Sequence, residues 1–279
     1  MIYYVKLLIF VFVLAILAGA SASDLKKREV SDFISYTLII GGFMLTLAYA
    51  IVSGSLSPLI YMPLSVALLF GFSYTMYVIG QWAGGDVKLM LGLAMVFTAI
   101  NPTSNLSFIA AFINILIFGG VYGLLGALFI GIIHPKKMSK FITKYDPVLI
   151  AGGAIAIVYS LLELPFPFDL LITLIAFLLV SMRYIYIVEQ HLMFYKVEVG
   201  KLVEGDWLAG DVVENGKTVL KERKIGLIKE DIEKLKKEGV KHVTVKVGLP
   251  FIPGMFFGIL ITILFGNPLF SVFASGLHP

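Results

Sequence analysis

The sequence contains no cysteine and only four histidines in 279 residues. Without cysteine there is no disulfide framework, no zinc ribbon and no thiol nucleophile. His134, His191, His242 and His278 fall in no HExxH or comparable spacing, so neither a metal site nor another cofactor is expected. Charge is scarce as well. Asp, Glu, Lys and Arg make up 14% of the chain, against roughly 25% in an average soluble domain. With 59% hydrophobic residues and a mean hydropathy of +0.95, the chain is too apolar to be disordered or to fit a single soluble core. A net charge of +4 is too small to argue for nucleic acid. What the chain has instead is a series of long apolar runs.

A membrane-crossing helix needs about 20 mostly apolar residues. The runs that qualify, or nearly do, are Ile2–Ala22, Phe33–Ser53, Pro58–Gly80, a shorter Val87–Ile100, Leu106–Ile133, Pro147–Leu162, Phe168–Val188 and Pro250–Phe270. Two of the eight are short enough to be tilted or buried, so six to eight crossings are expected. Lys26, Lys27 and Arg28, then Lys88, then Lys136, Lys137, Lys140 and Lys144, and later Arg183, all fall on one side of this pattern. The opposite loops, 54–57, 101–105 and 163–167, carry no Lys or Arg. Positive charge stays inside, which puts the N-terminus outside and the basic loops in the cytoplasm; only Lys6 sits awkwardly. Ala20-Ser21-Ala22 resembles a signal-peptide cleavage site, but the basic cluster follows the apolar run instead of preceding it, so cleavage is not expected.

Residues 189–249 differ in composition, with 12 Lys/Arg and 11 Asp/Glu. Glu214-Asn215-Gly216-Lys217 reads as a hairpin turn. Lys229–Glu238 reads as a helix stopped by Gly239, with Glu230/Lys234 and Glu233/Lys237 four apart. Lys241–Gly248 alternates like a strand. The expected architecture is an all-α polytopic membrane protein with a small α+β cytoplasmic domain before the last helix. Its parts are a transmembrane catalytic domain at 1–188, the soluble domain at 189–249 and a C-terminal transmembrane helix at 250–279. A soluble part this small is expected to lean on the membrane part.

Outside that segment there are seven acidic residues: Asp24, Glu29, Asp32, Asp86, Asp146, Glu163 and Asp169. Asp24 ends the first run and Asp86 begins the fourth, so both lie at the cytoplasmic level. Two carboxylates that meet at one depth can share a proton. One then serves as base toward a water and the other as acid toward a scissile carbonyl. The plainer reading makes each a solvated helix end, with Asp86 as an N-terminal cap.

The flanking residues favour the first reading. Ala83-Gly84-Gly85-Asp86-Val87-Lys88-Leu89 resembles the GxGD signature of intramembrane aspartyl proteases, and of prepilin peptidases in particular, with Ala83 in place of the first glycine. Asp24-Leu25-Lys26-Lys27-Arg28-Glu29-Val30-Ser31-Asp32 is similar to that family's first active-site segment, and Pro250-Phe251-Ile252-Pro253-Gly254 to its Pro-Phe-x-Pro segment. The resemblance, closest to the archaeal preflagellin and prepilin peptidases, implies catalysis by Asp24 and Asp86 with support from Gly84, Gly85 and Lys88. Lys88 itself reads as a headgroup anchor. Substrate contacts are expected at Glu29, Asp32, Pro250, Phe251, Pro253 and Gly254. The implied partners are archaellin or pilin-like precursors within the lipid bilayer. Bacterial relatives also methylate the new N-terminus and carry paired Cys-x-x-Cys motifs; with no cysteine here, peptidase activity alone is expected.

Three smaller expectations accompany these. Two prolines around Phe251-Ile252 should keep 250–254 non-helical and able to pair with substrate backbone. Gly119-Gly120 and Gly152-Gly153 should be helix-packing positions, and Gly205-Asp206 and Gly210-Asp211 should be turns. Two other functions remain open on the residues alone. An ion-coupled transporter would place carboxylates mid-span in similar halves, and a non-catalytic assembly factor would use the soluble domain for docking.

Overall fold

The computed structural model describes residues 1–100, 107–214, 216–222 and 226–267. The chain is mostly helical. In order come α1 (Ile2–Lys27), α2 (Asp32–Ser53), α3 (Ser57–Val78), α4 (Gly84–Ile100), α5 (Ser107–Ile133), the single turn α6 (Pro135–Met138), α7 (Asp146–Glu163) and α8 (Phe168–His191). The mixed segment follows, with β1 (Phe194–Glu198), β2 (Trp207–Leu208), β3 (Val212–Glu214), β4 (Lys217–Leu220), α9 (Lys229–Lys237) and β5 (His242–Lys246), before the last helix, α10 (Ile252–Phe265). Among the described residues, six helices, α1, α2, α3, α5, α7 and α8, are long and apolar enough to cross a membrane. α4 has 17 residues and α10 has 14. At ~1.5 Å per residue these measure ~25 Å and ~21 Å, short of a hydrocarbon layer of about 30 Å. The part of the expected last crossing beyond residue 267 lies outside the described residues.

The chain divides into two compact units, one of residues 1–122 and 195–267, the other including 123–194, with the division inside α5. In the first unit α4 lies between α2 and α3. Its Leu89, Met90, Leu93, Ala94 and Val96 are fully buried. Encasement explains how so short a helix is tolerated, since its sides meet protein instead of lipid. Gly92 makes the closest approach: a Cβ there would stand 2.7 Å from Leu38 Cγ. Thr46 Oγ1 donates to the Met95 carbonyl at 2.9 Å, which ties the same pair of helices. α1 packs on α2 and α10.

The mixed segment, also in the first unit, has its own core of Val199, Leu202, Leu208, Val219, Leu220, Leu227, Ile232, Leu235, Val240, Val243 and Val245. One sheet has the order β1-β5-β2. In it Leu208 lies opposite Val245 in antiparallel register. β3 and β4 form the expected hairpin, Glu214 opposite Lys217, with Asn215 outside the described residues. α9 starts where Asp231 accepts the Ile228 N–H at 3.2 Å. It stops at Gly239, whose φ of 71° lies in the left-handed region that favours glycine.

In the second unit α7 and α8 pack side by side. Asp146, at the start of α7, accepts from Arg183 Nε at 2.6 Å and from Arg183 Nη2 at 3.1 Å. It also accepts from the Thr143 hydroxyl at 2.9 Å. Sequence reading had noted both charges without joining them. Met138 of α6 is buried, and Phe141 stacks on His191 with ring centroids 3.7 Å apart. Of the glycine pairs expected to pack, Gly153 meets Val180 and Gly119 meets Phe251, whereas Gly120 and Gly152 have open space. Packing uses one glycine of each pair.

Candidate active site

Asp24 lies in the last turn of α1 and is 8% exposed; Asp86 lies in the first turn of α4 and is 9% exposed. Both belong to the first unit, and Asp86 is within electrostatic reach of Asp24. Each carboxylate is held by a backbone donor. Asp86 Oδ2 accepts the Ala83 N–H at 2.9 Å, the reach-back that a side chain in the first helical turn makes to the residue before the helix. Asp86 is thus a cap and a buried carboxylate together. Asp24 Oδ2 accepts the Ile252 N–H at 3.1 Å, a buried bond between residues 228 apart. It places the first aspartate at the N-terminus of α10, where unpaired N–H groups favour a negative partner.

That bond corrects the expectation for Pro250–Gly254. The irregular stretch is 247–251, and the helix begins at Ile252, so Pro253 and Gly254 lie in its first turn. Proline is tolerated there because the N–H it lacks would have had no partner within the helix. Gly254 is a close-packing position and no part of an extended strand: a Cβ on it would stand 2.6 Å from the Gly119 Cα. Phe251 packs against Trp82 at 4.8 Å between centroids and fills the space over Gly119. Trp82 in turn meets Phe72, which meets Phe112. An aromatic wall therefore lies beside the start of α10, in which Phe251 is next to Ile252, Asp24's donor, and Trp82 is four residues before Asp86. Pro250 is in the irregular stretch.

The two glycines before Asp86 differ. A Cβ on Gly85 would touch Val30 Cβ at 3.4 Å, so the start of α4 closely approaches the α1–α2 connection, whereas Gly84 has room. Lys88 Nζ pairs with Asp32 Oδ1 at 2.5 Å and lies 5.7 Å from the Tyr36 ring centroid. Asp32 is therefore engaged, while Glu29 is exposed and its carbonyl accepts from Ser23 Oγ at 2.8 Å.

Sequence reasoning passed over Arg28 except as part of a charge cluster. Its φ of 57° makes it the one non-glycine with positive φ among the described residues. Its N–H caps α1 on the Asp24 carbonyl at 2.8 Å, and its Nη1 donates to the Gly248 carbonyl at 2.6 Å. Tyr122 was missed as well; it lies within electrostatic reach of Asp24 and Arg28. No group of side chains suited to hold a metal ion occurs among the described residues.

Residues 8–124 match the type IV leader peptidase family. A preflagellin peptidase of Methanococcus voltae is 26% identical over 110 residues, which cover 37% of this chain and 47% of that protein. The chain thus spans about half the length of the curated relative it matches. No solved structure matches. The stretch that matches the type IV leader peptidase family, residues 8–124, carries both Asp24 and Asp86.

Proposed function

We propose that the chain is an aspartic endopeptidase. It removes short basic leader peptides from archaellin or type IV pilin-like precursors at the cytoplasmic face of the membrane, without methylating the new N-terminus. The observation that carries the reading is the pair Asp24 and Asp86, both buried at helix ends in one unit and each held by a backbone N–H. The match over residues 8–124 supports it, because that stretch spans both aspartates. The substrate class follows the name of the Methanococcus voltae relative.

Two carboxylates in mutual reach hold one proton between them, since like charges at short range do not both ionise. The ionised partner takes a proton from water as the water oxygen attacks the scissile carbonyl carbon. The protonated partner gives its proton to the carbonyl oxygen. A precursor with a basic leader ahead of an apolar helix sets its junction at the membrane surface, the level of the Lys26–Arg28 cluster. Exposed Glu29 is the carboxylate nearest in sequence to Asp24 that a basic leader can meet.

The test is cleavage of a model archaellin precursor by the detergent-solubilised protein. Asp24→Asn and Asp86→Asn each keep size while removing the shared proton, and each should lower activity by orders of magnitude. Asp32→Asn breaks only an exposed ion pair, worth at most about 1 kcal/mol, and should do far less. Equal loss at all three positions would count against a two-carboxylate mechanism.

A further inference from the structure

The protonated carboxyl of the aspartate pair serves one lone pair of the scissile carbonyl oxygen and leaves the other unassigned. As water adds to the scissile carbon, charge collects on the carbonyl oxygen, and a fixed donor aimed there lowers the barrier. The seam between α5 and α10 points to where such a donor stands. Asn114 Nδ2 donates to Thr262 Oγ1 at 2.9 Å. A Cβ on Gly258 would lie 2.6 Å from the Ile115 Cα, and Gly119 faces both Gly254 and Phe251. The contacts pair rising α5 numbers with falling α10 numbers, so the helices run antiparallel along one stripe of α5.

The next position on that stripe, one turn beyond Gly119, is Tyr122. Opposite it α10 has ended, because the helix begins at Ile252, and Ile252 is the residue whose N–H meets Asp24. Tyr122 is partly buried and within electrostatic reach of Asp24 and Arg28. A phenol is a neutral hydroxyl donor at physiological pH. It suits a site in which the two carboxylates are occupied with the one proton they share.

We propose that Tyr122 is a third catalytic group, whose O–H donates a hydrogen bond to the scissile carbonyl oxygen; this rests on the aspartic peptidase reading above. In the step, the water oxygen bonds to the carbonyl carbon, its proton goes to the ionised carboxylate, and the protonated carboxyl gives its proton to the carbonyl oxygen. Tyr122 donates to the other lone pair and keeps its proton throughout. On collapse the C–N bond breaks. The leaving amine takes a proton from the carboxyl that had received one, and the other carboxylate takes back the proton from the hydroxyl as the carbonyl re-forms.

The measurement is steady-state cleavage of the model precursor by full-length wild type, Y122F, the 3-fluorotyrosine variant at position 122, and D24N. Y122F deletes one oxygen from a ring that otherwise stays. Its kcat should fall by about tenfold or more, with KM within about twofold and an unchanged melting temperature. The fluorinated residue keeps the O–H and should stay within about threefold of wild type. D24N should be inactive; a D24N protein that cleaves like wild type would sink the peptidase reading itself. If D24N is inactive and Y122F turns over at the wild-type rate, Tyr122 is an ordinary interfacial aromatic and the proposal fails. Equal loss in Y122F and the fluorotyrosine variant, or a lowered melting temperature in Y122F, would mean that ring packing matters, not the donor, and would also overturn it.

Discussion

Arg28 illustrates how one residue can carry two opposed terms. A left-handed backbone costs a non-glycine residue roughly 1–2 kcal/mol, and helix C-termini usually place glycine there. Arginine at φ 57° offsets that cost with a donor to the Gly248 carbonyl, a bond to a charged group worth about 1.5 kcal/mol at most in an exposed setting. The two terms nearly cancel. Arg28→Gly should therefore leave thermal stability within about 1 kcal/mol of wild type, since it removes both. Arg28→Ala keeps the strain and loses the donor, so it should be the less stable of the two by about 1 kcal/mol. Thermal unfolding of the purified variants in one detergent decides; Ala above Gly would mean that the left-handed conformation carries no cost here. Asp206 gives the soluble segment a pH signature. Burial raises its carboxyl above the ordinary 3.8, partly offset by the Val203 N–H. The folded segment then binds the proton more tightly than the unfolded one. Its contribution to stability is complete below 3.8 and is lost as pH rises through the folded value. Hydrogen exchange of the residues around Asp206 should accelerate across that window beyond its intrinsic pH dependence, and Asp206→Asn should remove the extra acceleration.

At the scale of elements, the junction of α1, α5 and α10 is where sequence and structure part company. The Gly254-x-x-x-Gly258 spacing was visible in the sequence, as was the proline that starts the helix. Their partners were not: Gly119, Ile115 and Asp24 lie more than a hundred residues away, and no local periodicity reports which helix a small-residue stripe will meet. The prolines alone suggested an extended segment. Because Pro253 falls within the first turn, it starts a helix instead, and the extended residues shift to 247–251. This has a measurable consequence. A methyl added at Gly258 meets backbone of α5, the Ile115 Cα at 2.6 Å, and backbone cannot rotate away. Gly258→Ala should cost about 1–3 kcal/mol through forced separation of the helices. Pro253→Ala restores one N–H at a helix start and should cost well under 1 kcal/mol. Unfolding in detergent should rank Gly258→Ala far below Pro253→Ala, and the reverse order would mean that α10 is held by its entry turn and not by its face.

At the scale of the whole chain, hydrophobic runs and the charge pattern made most elements legible. Each of the eight expected apolar runs holds a helix, with Ile79 and Gly80 past the end of α3 and Pro250, Phe251, Gly266 and Asn267 outside α10, and the mixed segment has its expected helix and hairpin. Length alone did not say that α4 would be enclosed by α2 and α3, because enclosure is a property of packing and not of composition. Nor did it reveal the Asp146–Arg183 pair, whose members are 37 residues apart. The orientation of the chain rests on where Lys and Arg lie, and it admits a direct test. If positive charge stays inside, the loop at 54–57 should face outward, and Lys26–Arg28, Lys136–Lys144 and the mixed segment should face the cytoplasm. A cysteine placed at Ser55 should then react with a membrane-impermeant maleimide in intact cells, and one at Lys217 should react only after the membrane is opened. The chain has no cysteine of its own, so each label reports one site. Both positions lie in exposed turns or hairpin residues of the fold, and neither touches Asp24 or Asp86. Labelling at position 217 from outside would move both aspartates to the outer face, where a leader still attached to a newly made precursor does not present its junction. The proposed substrate would then have to be abandoned, even if the aspartate pair proved catalytic.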